Sequence, residues 1–144
     1  MYKRQHYPPI FVLINGLQRF KKLRYDDDLA YSFDTSSGSS NPALQLNDII
    51  CEGAAHGIHL IVSIDSYNNI GRTLSRKALS EFEMRILFQM SSNDSAALID
   101  SSKGATLGMH RALFYNEHEG YLETFRPYAL PEQQWLSEAC EKIR

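Results

Sequence analysis

The sequence predicts an α/β fold with a mostly parallel sheet flanked by helices, ending in an antiparallel hairpin and a C-terminal helix. The first observation behind this prediction is a set of continuous apolar, β-branched runs, a pattern typical of strands buried on both faces of a parallel sheet. These runs cover residues 10–14, 58–64 and 84–90. The second observation is that segments of helical periodicity separate the runs, and such alternation predicts right-handed crossovers.

Helix signals lie between the predicted strands. Asn41-Pro42 predicts a helix start, because asparagine caps helices and proline suits their first turn, and Gly53 predicts its end. A second helix is predicted from apolar residues at helical spacing between strands two and three: Leu74, Ala78, Leu79 and Phe82. These two helices complete a strand–helix–strand–helix–strand order.

The remainder of the chain predicts a different pattern. Ser92-Asn93-Asp94 indicates the start of a short helix, and residues 111–115 and 121–125 flank a polar turn, as in a hairpin. Pro131 opens a final amphipathic helix. Its predicted apolar face consists of Trp135, Leu136, Ala139, Cys140 and Ile143.

Composition excludes several classes of protein. The formal net charge of −2 gives no global attraction to nucleic acid or anionic lipid, and no apolar run approaches the ~20 residues of a membrane span. Cys51 and Cys140 lack a C-x-x-C neighbour, so we interpret both as buried small apolar residues in a reducing, cytoplasmic compartment. The polar stretch 25–40 predicts a flexible loop, and its Asp26-Asp27-Asp28 run is interpreted as solvated.

Four segments carry a resemblance to a known family. They are the strand at 10–20, Ala54-Ala55-His56-Gly57-Ile58-His59-Leu60-Ile61-Val62, Phe88-Gln89-Met90-Ser91-Ser92-Asn93-Asp94-Ser95 with Leu98-Ile99-Asp100, and Lys103-Gly104-Ala105-Thr106-Leu107-Gly108. In this order they resemble the distal half of the motor domain of FtsK/SpoIIIE-type P-loop ATPases, which translocate DNA. The matching motif positions are Gly57, His59, Arg85, Asp94, Ser95, Asp100 and Gly108.

The resemblance also exposes departures at nucleotide-facing positions. Where the family has the Walker B Asp-Glu pair, which holds Mg²⁺ and polarises the attacking water, this chain has Asn15 and Gly16. The family's γ-phosphate sensor pair corresponds to Ile64 and Asp65, and Ala96 replaces an arginine of the D-S-R motif. The resemblance therefore implies a degenerate Walker B site with impaired hydrolysis.

No G-x-x-x-x-G-K-[ST] phosphate loop occurs in the sequence. In the family this loop precedes the Walker B strand, so we expect residues 1–144 to be a single partial domain of a RecA-like module whose N-terminal part, with the Walker A loop, is missing. ATP and Mg²⁺ are then implied for the complete protein. The chain alone is expected not to be an active ATPase.

The resemblance implies a hexameric ring that acts on double-stranded DNA, with this chain as a nucleotide-binding or regulatory element. Whether the missing N-terminal region carries a membrane anchor is left open by the sequence. One alternative is a non-hydrolysing interaction module like those of the type VII secretion motor EssC, which handles secreted polypeptides. Another is an active translocase in which Asp65 substitutes for the missing acid.

Several residue clusters have simpler interpretations beside the functional ones. His56 and His59 lack further ligands at metal-site spacing, so a structural role is favoured and no metal site is assigned. Asp94 and Ser95 are most economically helix-capping residues. The basic cluster Arg19, Lys21, Lys22 and Arg24 either contacts a nucleic-acid backbone or is an exposed helix.

Overall fold

The structure, a computed structural model, describes residues 8–25 and 41–143, with the side chain of Ile143 excepted. The chain forms two compact units, Met1–Phe82 and Glu83–Arg144. Apart from Tyr25, the predicted loop over residues 25–40 lies outside the described residues, as does the acidic run at 26–28. The α/β class, the hairpin and the C-terminal helix predicted from the sequence are confirmed.

In its described residues, 8–25 and 41–82, the first unit contains a parallel pair of strands with three helices. Its elements are β1 (Ile10–Asn15), α1 (Pro42–Glu52), β2 (Ile58–Ser63), α2 (Tyr67–Thr73) and α3 (Arg76–Ser80), with short 3-10 turns at Leu17–Arg19, Lys21–Leu23 and Gly53–His56. β1 and β2 pair in register from Ile10 opposite Ile58 to Asn15 opposite Ser63. The predicted crossover between two parallel strands is therefore confirmed.

Helix α1 begins where the sequence predicts it. The side-chain oxygen of Asn41 accepts a hydrogen bond from the backbone N–H of Ala43 at 3.0 Å, and Pro42 occupies the first turn. The helix buries Leu46 and Ile50 in a core that also contains Leu17, Leu74 and Ala78. Ile14, Leu60 and Val62 pack on this core, along with neighbouring partly buried residues. One face of the parallel pair thus faces the helices.

The opposite face of β1 and β2 is exposed, so the prediction of strands buried on both faces is wrong here. Phe11, Leu13 and Ile61 alternate with the core-facing residues, and Leu13 is 71% exposed. We call these three residues the apolar sheet face. Because α1 to α3 supply the core on the other side, continuous apolar sequence here produces one buried and one open surface.

The helix predicted between strands two and three is two short helices. The chain leaves the helical region at Leu74, and the Ser75 hydroxyl then caps α3 by accepting from the backbone N–H of Ala78 at 3.0 Å. Leu74 and Ala78 are nevertheless buried. The periodicity therefore identified the core residues but not the break between them.

The second unit is built on an antiparallel sheet. Its elements are β3 (Met84–Leu87), α4 (Ser92–Ile99), a 3-10 turn (Ser102–Thr106), β4 (Ala112–Asn116), β5 (Tyr121–Phe125) and α5 (Gln133–Ile143). The order is β3-β4-β5, with β3 antiparallel to β4. The expectation that the third strand joins the parallel sheet is therefore corrected. β3 has only four residues and alternates exposed Met84 and Ile86 with half-buried Arg85 and buried Leu87, which suits an antiparallel strand with one buried face.

Helix α5 confirms the predicted C-terminal helix but not the burial of its apolar face. Trp135 and Leu136 are exposed, and so is Cys140, which we had expected to be buried. Cys51 is half-buried, and burial raises the pKa of its thiol above the ordinary value. Of the helices that the structure describes, none has the length and apolar character to span a bilayer.

Candidate functional site

Polar side chains gather where the parallel strands β1 and β2 end. Asn15 and Ser63 are register partners at these ends, and the Ser63 hydroxyl donates to Asn15 Oδ1 at 2.8 Å. The same hydroxyl accepts from the backbone N–H of Gly16 at 2.9 Å. In open α/β sheets, ligands bind outside the carboxyl ends of the strands. This edge is therefore the natural candidate for a site.

Gly16 has a backbone conformation that explains its identity. Its φ of 74° lies in the left-handed region, and the residue is buried. An added Cβ would also lie 3.2 Å from Nε of Arg19. A side chain at position 16 is disfavoured because the turn after β1 requires this φ. Glycine here is thus a requirement of the turn.

Asp65 comes to the same edge two residues beyond Ser63. Its carboxylate accepts from Nδ2 of Asn69 at 2.7 Å and from the Ser66 hydroxyl at 3.1 Å, and the Gln18 side chain adds a further hydrogen bond. The hydrogen bond from Asn69 is the main reason that the pKa of Asp65 lies below its ordinary value, with smaller contributions from Ser66 and Gln18. Asp65 is therefore ionised at neutral pH.

Gln18 contributes an unsatisfied acceptor at the same place. Its Oε1 is buried and has no hydrogen-bond partner within the described parts of the chain. Together, Asn15, Gly16, Gln18, Ser63 and Asp65 form what we call the strand-end edge. The edge presents one carboxylate and several neutral oxygens, a donor set suited to a hard cation such as Mg²⁺. The Gly16 N–H is not free to bind a phosphate, because it already donates to the Ser63 hydroxyl.

The structure places some, but not all, of the residues predicted from the sequence at this edge. It brings Asn15, Gly16 and Asp65 together, but the side chain of Ile64 packs on the core of the first unit and does not reach the edge. A direct sensor role for the Ile64 side chain is therefore not supported. Sequence reasoning missed Ser63 and Gln18. The signal for Ser63 was a hydroxyl residue at the end of an apolar strand, whereas nothing local distinguished Gln18.

The basic cluster follows this edge directly. Arg19, Lys21, Lys22 and Arg24 lie on the two 3-10 turns after Gly16, and all four side chains are exposed. We call them the basic turn. No helix of regular length forms here, so the interpretation as an exposed α-helix is corrected to an exposed pair of tight turns. The cations are accessible to a phosphate backbone.

Two motif positions of the first unit have local structural roles. Gly57 has a φ of 75° and ends the 3-10 turn before β2, and its carbonyl accepts from the Ile10 N–H at 2.9 Å. His59 stacks on Phe11, with 5.2 Å between ring centroids. In the part of the chain that the structure describes, no group of three His, Cys, Asp or Glu side chains is placed to hold a metal ion.

Ser95 and Gly104 form a buried junction in the second unit. The Ser95 side chain is fully buried, and its hydroxyl donates to the Ser101 carbonyl at 2.5 Å and accepts from the Gly104 N–H at 3.0 Å. A Cβ at Gly104 would lie 2.7 Å from the Ser95 hydroxyl oxygen. Ser95 and Gly104 therefore hold α4 against the following 3-10 turn.

Arg85 is also engaged inside its own unit. Its guanidinium donates to the Leu98 carbonyl at 2.5 Å and pairs with Glu117 at 2.9 Å, and it lies 5.9 Å from the ring centroid of Tyr115. Its position near the C-terminal end of α4 is electrostatically favourable. These contacts account for an arginine at this position without a ligand.

The helix α4 explains the remaining acidic motif positions. Its cap is Ser91, whose hydroxyl accepts from the Asp94 N–H at 3.1 Å, so the cap lies one residue before the predicted Ser92. Asp94 sits in the first turn, where an anion is favourable, and Asp100 ends the helix with a φ of 52°. Gly108 follows in the turn that leads to β4.

Comparison with known proteins bears on the fold as a whole. No protein-family model and no curated protein sequence matches the chain. A solved structure does: the genome packaging NTPase B204 from Sulfolobus turreted icosahedral virus 2, in complex with ATPγS, at 10% identity and a TM-score of 0.51. The chain therefore shares its fold with part of that NTPase. The match covers 83% of this chain and 52% of that one, so the chain spans about half the length of the NTPase.

Proposed function

We propose that the chain is part of an FtsK/SpoIIIE-like, ATP-dependent DNA-translocating module, in which it supplies a nucleotide-facing but hydrolysis-impaired strand-end edge. The observation that carries the proposal is the Asn15–Ser63 hydrogen bond together with the Asp65 carboxylate at the carboxyl ends of parallel strands, in a fold shared with a packaging NTPase. Asn15 and Gly16 supply neither a magnesium carboxylate nor a catalytic base.

The charges at the edge support a role in holding Mg²⁺–nucleotide. Asp65 would hold the metal, directly or through water, with the oxygens of Ser63 and Gln18 nearby. Mg²⁺ would neutralise phosphate charge there. Phosphate-binding N–H groups would come from outside this edge. We further propose that the module works in a hexameric ring on the cytoplasmic side, with duplex DNA passing near the basic turn.

Replacing Asp65 with asparagine tests this proposal. We expect Asp65→Asn to weaken binding of Mg²⁺–ATPγS by the full-length protein at least about tenfold, because the variant loses the charged ligand of the edge. The measurement is isothermal titration calorimetry with and without Mg²⁺. Asp48→Asn removes the same charge from an exposed position on α1 and should leave the affinity unchanged.

The same variants distinguish a module that does not hydrolyse ATP from one that does. We expect ATP turnover at background level in the unmodified protein and in Asp65→Asn. Robust turnover that disappears in Asp65→Asn would instead make Asp65 the substitute acid of an active translocase. Equal nucleotide affinity in Asp65→Asn and Asp48→Asn would refute the assignment of the edge.

A second candidate is a non-hydrolysing interaction module for a secreted polypeptide. The exposed apolar sheet face of Phe11, Leu13 and Ile61 favours it, because large open apolar patches mark interaction surfaces. This candidate predicts that the unmodified protein binds no nucleotide at all. The calorimetric titration described above therefore separates the two functions.

A further inference from the structure

An open hollow lies at one end of the antiparallel sheet in the second unit. It has a volume of about 1020 Å³, at the upper end for small-molecule sites. The side chains that matter for its chemistry are Phe88, Met109, His110, Arg111, Arg126 and Tyr128. We call this hollow the arginine groove. None of the motif positions that resemble the translocase family supplies a charged side chain to it.

Two arginines stand opposite each other in the groove. Ala112 and Phe125 are the last paired residues of the neighbouring strands β4 and β5. Arg111 and Arg126 are the next residues beyond this pair and so occupy the next register position. Both also line a second, adjoining hollow with Met109. Like charges directly across a ladder destabilise the sheet. An anion bound between the guanidiniums would relieve this repulsion.

Within the residues that the structure describes, no ion pair is found for the cations of the arginine groove. No aspartate or glutamate is among the groove's lining residues, and across residues 8–25 and 41–143 the ion pair found is that of Arg85 with Glu117. His110 lies beside Arg111 with a φ of 58°, a conformation rare for a residue with a side chain. Two guanidiniums that line one concave site favour a phosphate, which accepts from arginine in bidentate geometry.

Aromatic rings flank the arginines. Phe88 is 60% exposed and Tyr128 is 101% exposed, so both rings are available to a ligand. A base can stack on an aromatic ring or a guanidinium, and such stacking tolerates any base. Proteins bind unpaired nucleotides with a combination of hydrogen-bond donors for the phosphate and exposed aromatic rings for the base.

We propose that the arginine groove binds a nucleotide unit, with its phosphate between Arg111 and Arg126 and its base on Tyr128 or Phe88. A nucleotide unit within a single-stranded nucleic acid fits better than a free nucleotide, because the hollow is open and adjoins the second hollow. The proposal does not depend on the proposed function. It concerns residues 88–128, whereas the Asp65 experiment concerns the strand-end edge of the other unit.

Fluorescence anisotropy on the full-length protein tests the groove. The probe is a labelled twelve-residue oligothymidine, titrated at several salt concentrations, with AMP and ATP as competitors. We expect Arg111→Gln and Arg126→Gln each to weaken binding about fivefold near 0.1 M salt and to lower the salt slope by about one. Tyr128→Ala should weaken binding at least about fivefold through lost stacking.

A matched control keeps the result interpretable. Arg76→Gln removes an exposed arginine on α3 outside the groove and should not reproduce the loss caused by the groove variants. Arg111→Gln should also unfold at the same or a higher temperature than the unmodified protein, because cross-strand repulsion is removed. A merely structural arginine would lower the unfolding temperature instead.

Each outcome decides the assignment. Oligonucleotide binding that depends on the groove supports a single-stranded nucleic acid as the ligand. Groove-dependent binding of AMP or ATP alone supports a free nucleotide as the ligand. Binding that is unaffected by Arg111→Gln, Arg126→Gln and Tyr128→Ala overturns the proposal, as does absence of any binding. Groove-dependent binding of the oligothymidine with no loss in either Tyr128→Ala or Phe88→Ala would also overturn it, since no base would then be stacked.

Discussion

Replacing Gly104 with alanine is expected to destabilise the second unit by about 3 kcal/mol. The new methyl group would lie 2.7 Å from the Ser95 hydroxyl oxygen and 3.0 Å from its Cβ. Ser95 cannot move away without losing its bonds to the Ser101 carbonyl and the Gly104 N–H. Overpacking costs about 1–3 kcal/mol, and each lost hydrogen bond about 1 kcal/mol more. Urea unfolding followed by circular dichroism measures the change.

A second glycine provides the matched control for Gly104→Ala. Gly71 lies in α2, and a Cβ added there has no atom within 4 Å. Gly71→Ala should therefore stabilise the protein by about 0.5–1 kcal/mol, since alanine is the better helix former. If Gly104→Ala unfolds at the same urea concentration as the unmodified protein, the Ser95–Gly104 junction is not the constraint that we describe.

Placing glutamate at position 16, where the resembling family has its catalytic acid, is expected to cost about 1–2 kcal/mol of stability and to restore no ATP turnover. The cost arises because Gly16 has a φ of 74°, a conformation unfavourable for any L residue with a side chain. By contrast, Asn15→Asp should be tolerated, because a carboxylate accepts the Ser63 hydroxyl bond equally well. Thermal unfolding and an ATPase assay on the full-length protein measure both effects.

Gly16→Ala separates the backbone from the charge. It should account for most of the loss seen in Gly16→Glu, and Gly16→Asn should cost less, because asparagine tolerates the left-handed region. A Gly16→Glu protein of unchanged stability that hydrolyses ATP would contradict this interpretation. The turn would then not require glycine, and the acid would simply be absent.

Features with local causes were predictable from the sequence. The start of α1 follows from Asn41 and Pro42, and the hairpin of β4 and β5 follows from two short apolar runs around a polar turn. The edge formed by Asn15 and Asp65 was predictable as well, since the carboxyl ends of neighbouring parallel strands meet. Each depends on a few neighbouring residues or on one strand pairing.

Features that depend on distant partners were not predictable. The run at 84–90 resembles a parallel strand, yet β3 pairs with β4 in antiparallel orientation. The pairing of a strand depends on its packing against residues distant in sequence, which the run itself does not contain. The opposition of Arg111 and Arg126 depends on the register of the hairpin. The exposure of Cys140 and Trp135 likewise depends on what packs against α5, which helical periodicity alone does not specify.

The most direct test of the nucleotide-facing edge is hydrogen–deuterium exchange of the full-length protein with and without Mg²⁺–ATPγS. We expect slower exchange in peptides that contain residues 16–18 and 63–69, where the Gly16 N–H and the Asp65 network lie. The protection should be lost in Asp65→Asn and retained in Asp48→Asn. Nucleotide-dependent protection confined to other segments, with residues 16–18 and 63–69 unchanged, would contradict the assignment of this edge.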